Sequence, residues 1–123
     1  MSCHSIVLIE TEPTTRTVLT RLLERQGHGV TAAADVDTAL EAVHQSSPDV
    51  VLLDGQGPER EACAVLEALR TQFNGHAPKV VMVGTRSRPK EGEKYRALGA
   101  DAYLTKPFLM ADLDATLSRL LPG

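Results

Sequence analysis

Pro48-Asp49-Val50-Val51-Leu52-Leu53-Asp54 reads as a buried strand with a reactive group at its end: a turn signal, four aliphatic residues, then a carboxylate. Two other short apolar runs finish in the same way. Ile6 to Ile9 ends in Glu10-Thr11-Glu12, and Ala102 to Leu104 leads into Thr105-Lys106-Pro107. If these strands are parallel, Glu10, Asp54 and Lys106 converge at the carboxyl edge of one sheet, where open α/β folds keep their ligand crevice. Two carboxylates and an ammonium around one point suggest phosphate and metal chemistry.

Outward from that stretch, β-branched runs alternate with segments of helical period, the pattern of repeated βα units and a parallel sheet covered on both faces. Pro13 suits an early helical position, Val18, Leu19, Leu22 and Leu23 form an apolar stripe, and Gly27 supplies a stop. Val30 to Ala33 reads as the second strand. Asp35 or Asp37 caps a helix carrying Val36, Ala39, Leu40 and Val43. A Gly- and Pro-rich loop, 55–60, precedes a third stripe of Ala62, Val65, Leu66 and Leu69 that ends near Asn74-Gly75. Val80 to Val83 is the fourth strand and delivers Gly84-Thr85 to the same edge as Asp54. A helix through Tyr95 and Leu98 ends near Gly99, and a last one carries Leu113, Leu117, Leu120 and Leu121.

A chain of 123 residues suits one domain spanning residues 1–123. The apolar fraction is 42%, yet aromatics are only 3% with no Trp, so an aliphatic core is expected and ring stacking is a poor means of holding a ligand. Thirteen basic residues are dispersed among 16 acidic ones, which argues against direct contact with nucleic acid. No apolar run approaches the roughly 20 residues of a membrane span, so no membrane contact and a cytoplasmic location are expected. Cys3 and Cys63 lack metal-finger spacing and read as buried thiols. His4, His28, His44 and His76 lack ligand spacing and read as exposed or packing residues.

The stretches Ile9-Glu10-Thr11-Glu12-Pro13, Pro48 to Asp54, and Gly99-Ala100-Asp101-Ala102-Tyr103-Leu104-Thr105-Lys106-Pro107-Phe108 together resemble the receiver domain of bacterial response regulators, over essentially the full length. The resemblance implies a flavodoxin-like, doubly wound, five-stranded parallel sheet in the order 2-1-3-4-5 with five helices. It also implies that Asp54 accepts a phosphoryl group from a histidine kinase or phosphotransfer protein. Lys106 would pair with that group, Gly84 and Thr85 would stand at its contact positions, and Tyr103 would occupy the aromatic switch position. Glu10, Asp54 and the backbone carbonyl of Gln56 would hold Mg2+. Pro107 fits the family's cis peptide after the lysine.

The chain also departs from the family pattern. Thr11 stands where the resemblance implies a second acidic residue that binds the metal directly, so about one unit of negative charge is missing and weak or absent Mg2+ binding is expected. Glu12 is a candidate stand-in. Gly84 stands where a Thr or Ser hydroxyl would contact the phosphoryl group, and Thr85 where a small residue is usual. Gly57 replaces a common Met, and Glu61-Ala62 replaces Asp-Gly.

Two functions fit these features. The first is a non-enzymatic receiver domain of a phosphorelay that accepts phosphoryl on Asp54 inefficiently and signals to a downstream protein target. The alternative is a pseudo-receiver, an interaction module that works without phosphorylation. A flavin-binding flavodoxin-like protein is disfavoured, because no phosphate-cradling Gly-rich loop follows the first strand.

Overall fold

The computed structural model describes residues 3–54, 59–73, 77–85 and 90–121, without the side chains of 59, 60, 85 and 91. Five strands, β1 (Ser5–Ile9), β2 (Gly29–Ala33), β3 (Val50–Asp54), β4 (Lys79–Thr85) and β5 (Ala102–Lys106), alternate with five helices. The helices are α1 (Pro13–Arg25), α2 (Val36–Ser46), α3 (Glu59–Gln72), α4 (Glu91–Ala97) and α5 (Met110–Leu120). All strand pairs are parallel and the order is β2-β1-β3-β4-β5, the expected doubly wound arrangement.

Side chains alternate across a strand, so each apolar run feeds two cores. Ile6, Leu8, Val50, Leu52, Val81, Val83 and Ala102 face one way, onto Leu23 of α1 and Leu113 and Leu117 of α5. Val7, Ile9, Val51, Leu53, Val80 and Met82 face the other, onto α2, the α3 stripe Ala62, Val65, Leu66 and Leu69, and Tyr95 of α4. Continuous aliphatic runs are what a sheet buried on both faces requires.

The helix boundaries have local causes. Asp35, not Asp37, caps α2, its Oδ1 accepting from the Thr38 amide at 2.8 Å. Glu12 caps α1 just before Pro13 at the first helical position. Gly27 (φ 96°) and Gly99 (φ 121°) close α1 and α4. In each case the next amide reaches back to the helix, His28 to the Leu23 carbonyl and Ala100 to the Tyr95 carbonyl, the paired closure that a left-handed glycine permits.

At the amino edge, Asp49 and Asp101 act as clasps. Each donates its backbone amide to a carbonyl near the start of a neighbouring strand, and its carboxylate accepts from the same residue's amide, Ser5 at 2.9 Å and Val80 at 2.8 Å.

Three expectations need correction. Cys3, ahead of β1, is exposed and Cys63 of α3 half-buried, so neither is a fully buried thiol. β4 runs through Gly84 and Thr85, because both keep their pairing with β5 opposite Thr105 and Lys106. The α1 stripe is only partly covered: Leu23 is buried, whereas Val18 is 50% exposed, since α1 meets the sheet at its β2 side.

Candidate functional site

Residue parity determines which groups meet at the carboxyl edge. Glu10 continues the Ile6 and Leu8 face of β1, Asp54 the Val50 and Leu52 face of β3, and Lys106 the Ala102 and Leu104 face of β5. Ile9 is paired with Leu53 and Asp54 with Val83, so Glu10 and Asp54 lie at the same level on adjacent strands. Lys106, one strand further away, spans the gap with its long stem. Its Nζ donates to Asp54 Oδ2 at 2.8 Å and lies 3.9 Å from Glu10 Oε1. The Lys106-Pro107 peptide is cis, as the resemblance implied.

The three side chains are shielded, at 3% exposure for Glu10, 8% for Asp54 and 23% for Lys106. Burial, then the hydrogen bond and charge of Asp54, push Glu10 up to about 8, against the opposing pull of Lys106. At neutral pH Glu10 therefore largely keeps its proton, and the negative charge of the site rests on Asp54, balanced by Lys106.

The donors fit a divalent cation poorly. Glu10 Oε2 is buried with no hydrogen-bond partner and so offers one oxygen, but its carboxyl resists ionisation. Thr11 is exposed and neutral, and it lines the same small hollow as Asp54. Glu12 is not the stand-in: its carboxylate is turned to the start of α1, where the Thr15 amide donates to it at 2.5 Å and the helix-start amides lower its pKa. Among the described residues no group of three or more His, Cys, Asp or Glu is placed to hold a metal. Gln56, Gly57 and the rest of 55–58 lie outside them. Arg16 adds positive charge nearby, its Nη1 donating to the Glu10 carbonyl at 3.0 Å.

The other candidate residues lie on the opposite side of the sheet. Gly84 follows Met82 in parity, toward α4, and the Tyr103 ring packs against that same core. Tyr103 is half-buried and stacks on Tyr95, with centroids 6.5 Å apart and planes 10° from parallel. The backbone of Thr85 ends β4 opposite Lys106.

Beside Lys106, an apolar groove of about 490 Å³ is lined by Thr15, Leu19 and Leu22 of α1 with Lys106, Pro107, Phe108 and Met110. The sequence stripe on α1 hinted at a core face and concealed this groove.

The family model for the response regulator receiver domain matches residues 6–118. The transcriptional activator protein PfeR of Pseudomonas aeruginosa is 34% identical over 94% of this chain and 37% of its own length. Among solved structures, the chemotaxis protein CheY4 of Vibrio cholerae superposes with a TM-score of 0.85 at 26% identity, covering 98% of this chain and all of that one. The BeF3-activated N-terminal receiver domain of Klebsiella pneumoniae RstA gives 0.83 at 26% identity, covering 97% and 99%. The chain spans between a third and about half of the length of the curated relatives it matches.

Proposed function

Because the chain belongs to the response regulator receiver family, as a receiver domain of a two-component system, we propose that Asp54 is its phosphoacceptor and Lys106 the cation that neutralises the transferred group. The contact that carries this is Lys106 Nζ on Asp54 Oδ2 at 2.8 Å, at the carboxyl edge where strand ends converge. Transfer requires a carboxylate oxygen of Asp54 to attack the phosphorus of a phosphohistidine donor in line. The new P–O bond forms as the P–N bond breaks, and the donor imidazole leaves with the electron pair and takes up a proton. Charge repulsion between carboxylate and phosphoryl oxygens opposes that approach, and a fixed ammonium relieves it. Afterwards Lys106 can exchange its carboxylate contact for a phosphoryl oxygen.

Receiver domains generally bind Mg2+ at this site. Here, with neutral Thr11 in place of an anionic donor and Glu12 turned to the start of α1, the finer reading is weak Mg2+ affinity and slow phosphorylation. The groove beside Lys106 offers apolar surface next to the acceptor for a histidine kinase or phosphotransfer protein. The product signals to a downstream protein target; the chain acts as a signalling domain and not as an enzyme.

Incubation with a small phosphodonor and Mg2+, followed by intact-mass analysis, tests the acceptor. Wild type should gain one phosphoryl group and Asp54→Asn none. Label persisting in Asp54→Asn would overturn the assignment.

A second reading, a pseudo-receiver, is favoured by one observation: Gly84 carries no side chain to report on the state of Asp54. Partner binding that is equal in wild type and Asp54→Asn, under phosphorylating conditions, would select it.

A further inference from the structure

Two glycines bracket the Tyr103 ring. A Cβ placed on Gly84 would fall on the Tyr103 hydroxyl and lie 2.6 Å from Cζ, and one placed on Gly92 would lie 3.3 Å from Cδ1 and 3.4 Å from Cγ. Gly84 therefore meets the hydroxyl end of the ring and Gly92 its root, while Tyr95, 1% exposed, supplies the stacked wall.

Neither glycine is demanded by its backbone. Gly84 sits inside β4 and Gly92 inside α4, and among the described glycines the positive φ values belong to Gly27 and Gly99. A glycine in a regular element weakens it, and in a strand it commonly marks the close approach of another group. Here that group is the tyrosine ring.

We propose that Gly84 and Gly92 form a steric slot that holds the Tyr103 ring inward by shape, so that the surface of α4 and β5 around it rests in one arrangement whatever the state of Asp54. The last clause rests on the phosphoacceptor reading. A ligand shifts an equilibrium only through contacts that differ between its two states. Asp54 belongs to the α1 and α5 face by parity and Gly84 to the α4 face, and no side chain at residue 84 connects them. The volume that such a side chain would use is already filled by the ring.

The ring is read directly by carbon-proton spectra of the full chain labelled in tyrosine, which has two such residues, assigned with Tyr95→Phe. In wild type, Tyr103 should show one set of signals, weakly broadened by a soluble paramagnetic probe and unmoved by Mg2+ with beryllium fluoride. Gly84→Ala should displace those signals and raise the broadening several-fold. Signals unchanged by Gly84→Ala, or moved as far by beryllium fluoride in wild type, would overturn the slot.

If Gly84→Ala fails to fold, melting temperatures in a Tyr103→Ala background decide. Tyr103→Ala should remove most of the loss caused by Gly84→Ala, and an undiminished loss would overturn the proposal. Amide shifts at Asp54 and Lys106 show separately whether the mimic binds. If they do not move, the phosphoacceptor reading fails while the Gly84→Ala arm still judges the slot.

Discussion

Thr11 shows how one side chain can leave a fold intact and weaken its chemistry. It is exposed at the head of the loop after β1 and borders the hollow that Asp54 also lines, so an aspartate there would point its charge at the same space. A unit charge about 4 Å from a dication is worth on the order of 2 kcal/mol even at the dielectric of water, more than tenfold in affinity. Thr11→Asp should therefore bind Mg2+ at least about tenfold more tightly in a calorimetric titration. An unchanged affinity would mean that the missing charge is not what limits the site. The meeting of Asp54, Lys106 and Glu10 at one sheet edge was legible in the sequence because each stands at or just beyond the end of an apolar run. The turning away of Glu12 was not, because a carboxylate before Pro13 reads equally as a helix cap or as a ligand until its partner amide on Thr15 is located.

His28, in the turn between α1 and β2, pairs with His4, just ahead of β1 and far from the site. His28 is buried, its Nδ1 accepts from the His4 amide at 3.0 Å, and the two rings stack with centroids 5.6 Å apart. Burial, then the charge of His4, lowers the His28 pKa below 6.5, with Asp114 opposing. Above 6.5 both folded and unfolded chains hold this ring neutral. As pH falls through 6.5 the unfolded chain takes up the proton first, so stability is lost until pH passes below the folded value. His28→Asn keeps an acceptor without the titration, so the melting-temperature advantage of wild type over His28→Asn should shrink as pH falls below 6.5. A difference independent of pH would rule this out. Sequence patterning identified the strands and helices themselves, because runs buried on both sides and 3.6-residue stripes are strong signals. It did not show how much of a stripe the sheet covers, as Val18 demonstrates, nor that β4 passes through Gly84, since glycine alone reads as a break.

Across the whole molecule, the sheet separates two groups: Glu10, Asp54 and Lys106 follow the parity of the face with α1 and α5, and Tyr103 packs on the face with α4. Partner docking can then be weakened without touching chemistry. Val18 and Leu109, 50% and 71% exposed, are the chain neighbours of the groove-lining Leu19 and of Phe108 and Met110, and Val18→Asp with Leu109→Asp should lower kcat/KM for transfer from a histidine-containing donor protein by roughly tenfold or more, a loss of about 1.4 kcal/mol. The rate with a small phosphodonor should stay the same; an equal fall in both would place the effect on Asp54 itself. The order of strands and the common edge could be read in advance, whereas the orientation of Tyr103 could not, because it depends on space left by two glycines on different elements. The stacked pair of Tyr95 and Tyr103 has a further consequence. With two tyrosines and no tryptophan in the chain, almost all absorption near 280 nm, and the fluorescence it excites at longer wavelength, originates in these two rings. The protein is nearly dark, and what light it gives back comes from the side of the sheet that carries α4, so an unmodified sample carries its own optical gauge of that region.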